Sequence, residues 1–229
     1  MPHVTEFVYF TPKSSVKPED PKNEEGAALL EVFKTVKQQS GYLGSAWGRT
    51  KEDDKALIWA IDWEDSHSGI SNQTSPLTPY LEPDTNITKL FTTLSPTDDD
   101  NPATQTLLSN PITELAPLPF PSILSNDDRS AVSAAIVSLR KACHEENEEK
   151  VRCKTFMIGQ IERPGELEHE KAEGGKVFVH LLVAGWKDVD QHMGARETEG
   201  FKKSIGPIRE RMAPPMEKLG MRHVKFQEV

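Results

Sequence analysis

Cysteine is nearly missing from this chain of 229 residues, with Cys143 and Cys153 as the whole supply. Two thiols cannot build the disulfide framework of a small secreted domain, so a reducing, cytoplasmic setting is expected. Positive charge is the second shortage. Lys and Arg number 27 against 36 Asp and Glu, a formal net charge of −9. That balance argues against a nucleic acid or an anionic membrane surface as the main partner. No apolar run approaches the roughly 18 residues of a membrane helix. The opening MPHVTEFVYF lacks the basic start and long apolar core of a signal peptide. Motifs that announce a chemistry are equally scarce. No CxxC is paired with HxxxH, so no metal site is expected. Gly174-Gly175 reads as a turn rather than a phosphate loop, and GxSxG is absent, so neither a nucleotide fold nor a serine hydrolase is supported. Hydrophobic residues at 36% and charged ones at 28% still leave material for a globular core with polar loops.

What the chain does have is a pattern that occurs twice. Lys176 to His192 reads KVFVHLLVAGWKDVDQH: an apolar run from Val177 to Val183, closed by Trp186, with Asp188 where a helix N-cap belongs. Lys55 to His67 reads KALIWAIDWEDSH, the same run closed by Trp63, with Asp65 and Ser66 as caps. Around the first copy, Thr5–Phe10 and Tyr42–Arg49 read as strands. Glu24–Gln39 is a helix with Ala28, Leu29, Val32, Phe33 and Val36 on one face, and Lys51–Lys55 is a charged turn. Ser66–Asp84 should hold a second helix, cut short by Pro76, Pro79 and Pro83, before a strand over Asn86–Leu94.

Ser95–Pro111 is proline-rich and acidic, the composition of a linker. After it the order restarts. Ile112–Phe120 is a strand whose Pro117 and Pro119 assign it to an edge. Asp127–Glu146 is a periodic helix, Val151–Glu162 a strand, Arg163–Gly175 a long acidic hairpin, Asp188–Ile205 a helix, Pro207–Leu219 a further helical turn or two, and Met221–Val229 a last strand. Short echoes align the halves: TEFVYF at Thr5 with TELAPL at Thr113, GSAWGR around Gly48 with TFMIGQ around Gly159, and KLFTTL with VKFQEV, placing Phe91 on Phe226. The expected fold is α+β: two tandem ferredoxin-like βαββαβ repeats, residues 1–95 and 112–229, joined by a linker over 96–111. Each repeat covers one sheet face with helices. Packing the two bare faces together would give an internal dimeric α+β barrel.

The stretch GWKDVDQHMGARETEGF, Gly185 to Phe201, resembles the strand-end Trp, acidic cap and helix-borne His of the dimeric α+β barrel superfamily, in its antibiotic-biosynthesis-monooxygenase-like (ABM) branch. The resemblance spans nearly the whole chain and is closer in the second half. It implies a pseudo-dimer within one chain, monomeric or paired as a homodimer. It also implies a small-molecule site inside the barrel, with no metal or organic cofactor. The activities in that superfamily range from cofactor-free monooxygenases to haem-degrading enzymes, polyketide cyclases and lyases of secondary metabolism, and stress proteins.

Three histidines are the candidates for acid–base work. His67 and His192, near the starts of the two second helices, are either proton shuttles or capping residues. His180 lies within the central strand and faces either the helices or the interior; alternation groups it with Phe178, Leu182 and Trp186. Trp47, Trp59, Tyr9 and Phe156 could stack on a planar substrate or simply form core. Arg49 could hold a carboxylate or an enolate, or close an edge salt bridge. Arg196, one turn after His192, could face a bound anion or solvent. Cys143 belongs to an apolar helix face, and GELEHE around His169 reads as a solvated hairpin. The leading expectation is a cofactor-independent enzyme acting on a small apolar aromatic or polyketide-like metabolite by oxygenation, cyclisation or elimination. A non-catalytic binding or stress-response barrel is the alternative, and a haem-degrading role with one of the same histidines as ligand is a third.

Overall fold

The structure is a computed structural model that describes residues 3–65, 75–83, 85–96, 101–216 and 219–229. The chain divides into two compact units, Met1–Ser109 together with Val224–Val229, and Asn110–His223.

The first unit begins with β1 (Val4–Phe10) and α1 (Glu24–Thr35). Asn23 starts this helix by accepting the Gly26 N–H at 2.6 Å, with Glu24 and Glu25 favourably placed in its first turn. A 3-10 turn over Val36–Gln38 prolongs it, and Gly41, at φ 79°, turns the chain into β2 (Tyr42–Arg49). Then come β3 (Leu57–Trp63), a 3-10 turn over Ser75–Tyr80, β4 (Thr88–Thr92) and α2 (Ala103–Ser109). The antiparallel strands lie in the order β2-β3-β1-β4. Strand alternation puts Val8, Trp47, Trp59, Ile61 and Trp63 on one face, where they bury Leu29, Phe33 and Val36 of α1 and its extension. Residues 103–109 of the stretch expected as a linker form α2, tied to β3 by the backbone N–H of Thr104, which donates to the Asp62 carboxylate at 2.6 Å.

The second unit runs β5 (Ile112–Pro121), α3 (Asn126–Arg140), a π-helical turn over Lys141–Glu146, β6 (Thr155–Arg163), the short β7 (Leu167–Glu168), β8 (Lys176–Trp186), α4 (Val189–Arg196), α5 (Glu199–Arg209) and β9 (Arg222–Val224). Its strand order, β6-β8-β5-β9, has the same threading as the first unit. The even-numbered side chains of β5 and β8, among them Leu118, Phe120, Phe178 and Leu182, pack under α3 and α5. The chain closes with β10 (Gln227–Glu228), paired to β2 of the first unit.

Three sequence expectations are corrected. β5 is not an edge strand, because β8 and β9 flank it. Pro119 O accepts from Ala213 N at 2.9 Å, so residue 119 directs its backbone groups away from β8, and Pro117 and Pro121 follow by alternation. The three missing donors therefore cost no β8 hydrogen bond, and the three-residue β9 is too short to need them. The helix expected over Asp188–Ile205 is two helices. Thr198 breaks it by capping α5 with its own side chain, which accepts from Phe201 N at 3.3 Å. The acidic hairpin is not simply solvated: His169 is buried, its Nε2 2.8 Å from Pro214 O while its Nδ1 accepts from Lys171 N. That pair of contacts pins the hairpin down.

Candidate active site

The strand-closing tryptophans identify a buried polar pair in each unit. In the first, Trp63 Nε1 donates to Glu6 Oε2 at 3.0 Å. In the second, Trp186 Nε1 donates to Glu114 Oε2, also at 3.0 Å. The TEF and TEL echoes thus mark a Glu that takes the indole N–H at the end of the neighbouring central strand. Both carboxylates are almost wholly removed from water.

In the second unit two histidines extend this pair. α4, started by the Asp188 side chain on Gln191 N, brings the His192 ring flat against Trp186, with centroids 4.9 Å apart at 22°. His192 Nε2 lies 3.5 Å from Glu114 Oε2, and its Nδ1 lies 2.8 Å from Nε2 of His223 on β9. Both rings are 2% exposed. If the Nε2 hydrogen of His192 faces the carboxylate, its Nδ1 accepts from His223, giving one continuous donor chain, His223 to His192 to Glu114. Burial, with His223 and Arg196 adding to it, pushes the His192 pKa down to about 3. The ring is neutral in the folded protein near neutral pH.

His192 and Glu114 open onto a cavity of about 310 Å³. Its walls are mostly apolar, with Ala116 and Leu118 from β5, Phe201 and Ile205 from α5, and Met212 and Leu219 from the segment that follows. Arg196 and Arg209 complete the lining. The volume sits at the small end of ligand pockets, and an apolar wall with a few convergent polar groups is their usual make-up. The cavity lies on the helix-covered side of the β5–β8 sheet, which is where alternation places Glu114 with Ala116 and Leu118.

The other expected site residues are dispersed. His180 is on the helix face of β8, edge-on to Phe120 at 5.8 Å and to Phe178 at 5.7 Å. Burial and the Arg129 charge lower its pKa. His67 lies outside the described residues. Trp47 and Trp59 belong to the core under α1, where Phe33 already stacks on Trp59 at 4.3 Å. Phe156 is core beneath α3 and α5. Tyr9, half-buried, falls on the sheet face opposite to Val8 and α1. Arg49 is held by Glu19 at 2.6 and 3.2 Å and by Asp54 O. Cys143 and Cys153 are buried thiols whose pKa values are raised by burial, that of Cys143 to about 12, so neither is a thiolate. Among the described residues no three His, Cys, Asp or Glu side chains are grouped so as to hold a metal ion. Sequence reasoning missed Glu114 and His223. The first had a signal in the repeated Thr-Glu dipeptide, and the second had none.

No family model matches the chain, and no curated protein does. Solved structures do match. An anthrone oxidase-like protein covers 100% of this chain and 92% of its own at 14% identity and a TM-score of 0.58. A proposed monooxygenase of Fusobacterium nucleatum covers 99% and 92% at 16% identity and 0.55. A haem-binding protein of Thermus thermophilus covers 99% and 91% at 10% identity and 0.50. Chlorite dismutases are among the other matches. The chain shares the fold of these proteins. At such identities the likeness establishes the fold and nothing finer.

Haem chemistry can be tested against the donors present. An iron ligand needs an imidazole nitrogen with an open approach. His192 has Nδ1 on His223 and Nε2 facing Glu114, so it does not fit a haem iron. His180 stands edge-on beside the stacked Phe120–Phe178 pair near a guanidinium.

Proposed function

We propose that this protein is an enzyme that moves a proton on a small, largely apolar, aromatic or polyketide-like molecule held in the cavity of the second unit. The observation that carries this reading is the buried His223–His192–Glu114 chain ending on an apolar cavity of about 310 Å³. A carboxylate beside a neutral imidazole in a dry pocket can accept a proton from a phenol or an enolisable carbon. The Arg196 guanidinium on the same cavity then stabilises the anion that remains. An electron-rich phenolate or enolate can go on to react with molecular oxygen, to cyclise, or to expel a leaving group. Oxygenation is the branch favoured by the likeness to proteins described as an anthrone oxidase-like protein and a monooxygenase. No organic cofactor is required for any of the three. We further read the two units as copies of one ferredoxin-like repeat, supported by the shared strand order and the recurring Glu–Trp pair.

The test begins with a thermal-shift screen of phenols, anthrones, aromatic acids and polyketide lactones. Oxygen uptake and product formation are then followed with the ligands that raise the midpoint. His192→Asn and Glu114→Gln are expected to lower turnover by roughly a hundredfold to ten-thousandfold while the same ligands still bind. Unchanged turnover in both variants would sink the proposal.

A further inference from the structure

The cavity carries a second piece of information, in its charges. Glu114 is the one acidic residue of its described lining, and Trp186 and His192 already engage that carboxylate. Arg196 and Arg209 line the same space, and neither has an acidic partner among the described residues. The nearby acids of α4 and α5 are committed elsewhere, Glu197 and Glu199 to Lys202 and Glu210 to Arg211. Two guanidiniums on one apolar cavity with no acidic partner among the described residues, in a chain of net charge −9, call for a negative group from outside.

Helix geometry separates the roles of the two arginines. Arg196 is one turn from His192 on α4, at the chemical end. Phe201, Ile205 and Arg209 recur every four residues along α5, so they form one stripe facing the cavity. At 1.5 Å per residue the stripe is roughly 12 Å long, which sets Arg209 well away from the helix junction that carries Arg196. We propose that the cavity takes an elongated apolar carboxylic acid, with its carboxylate on Arg209, its body along Phe201 and Ile205, and its reacting end against His192 and Arg196. This assignment rests on the reading of the cavity as a substrate site and adds the class of the substrate.

The experiment is calorimetric binding of biphenyl-4-carboxylate and its neutral isostere biphenyl-4-carboxamide. The wild-type protein is expected to prefer the carboxylate by roughly tenfold to a hundredfold, the contribution of a charge-assisted hydrogen-bonded pair. Arg209→Gln, at an exposed position and so without effect on folding, should erase the preference and leave the carboxamide affinity unchanged. Arg196→Gln should keep it. Equal affinity for the two compounds, no binding of the acid, or a preference that survives Arg209→Gln would overturn the inference. Binding is read here without turnover. A preference present in a protein whose turnover ignores His192 and Glu114 would therefore sink the proposed reaction and leave the anchor standing.

Discussion

His192 gives the second unit a sensitivity to acid. Its ring stays neutral in the folded protein down to about pH 3, while the same ring in the unfolded chain takes a proton below its ordinary value near 6.5. Between those limits the unfolded state binds the extra proton, so stability falls as pH falls, by about 1.4 kcal/mol per unit. Above pH 6.5 this contribution is complete and flat. Urea unfolding at a series of pH values from 4 to 8 should show that slope in the wild type and a shallower one in His192→Gln. Parallel curves for the two proteins would remove the buried neutral ring from the account. This residue was legible in the sequence as a helix-borne His after an acidic cap. Its partners were not. His223 lies 31 positions away on β9, while His192 is on α4, and only the folded chain brings the two together. Strand alternation also says which aromatic residues share a face but not which face a helix covers. Trp47, Trp59 and Phe156 proved to be on the covered one.

Elements expose a swap between the two units. Thr5 of β1 faces Asp62, and its hydroxyl donates to that carboxylate at 2.6 Å. Burial raises the Asp62 pKa, and the hydrogen bonds from Thr5 and Thr104 oppose the shift. In the second unit the corresponding Thr113 of β5 faces Gly185. The Asn110 side chain fills the space that Gly185 leaves, and its amide reaches Thr155 and Thr113. A methyl group on residue 185 would run into that amide. Gly185→Ala should therefore cost about 1–3 kcal/mol by overpacking, and Asn110→Ala in the same chain should recover part of it. A denaturation double-mutant cycle showing no coupling between the two positions would contradict this arrangement. Most elements could be read from the sequence because each carries its own period or cap. β5 was misassigned because its prolines were judged one at a time. Their common spacing of two, which aims all three missing donors the same way, was the informative feature.

On the scale of the whole molecule, the shared strand order of the two units has a counterpart in the short sequence echoes, but the return of the last residues to the first unit has none. Residues 224–229 leave the second half to complete the first unit. There Val224 pairs with Thr50, β10 pairs with β2, and Lys37 Nζ donates to Val229 O at 2.8 Å. Phe226 is 4% exposed, so Phe226→Ala should cost about 3–5 kcal/mol. Hydrogen exchange should report the loss first in β2, far in sequence from residue 226, with β8 still protected. The opposite order would place residue 226 with the second unit. The Phe91–Phe226 echo gave Phe226 to the second half, whereas it lies in the first unit, between β9 and β10.

Because the first unit is interrupted after Ser109 and resumes at Val224, the ribosome delivers its parts out of order. β1 to β4 and α2 emerge early and then wait, with β2 lacking its outer neighbour, until the entire second unit has been translated. His223 and Val224 are joined by one peptide bond. The stretch that seats Val224 against Thr50 therefore also carries His223 to His192, so one late segment both completes the first unit and supplies a buried partner in the second.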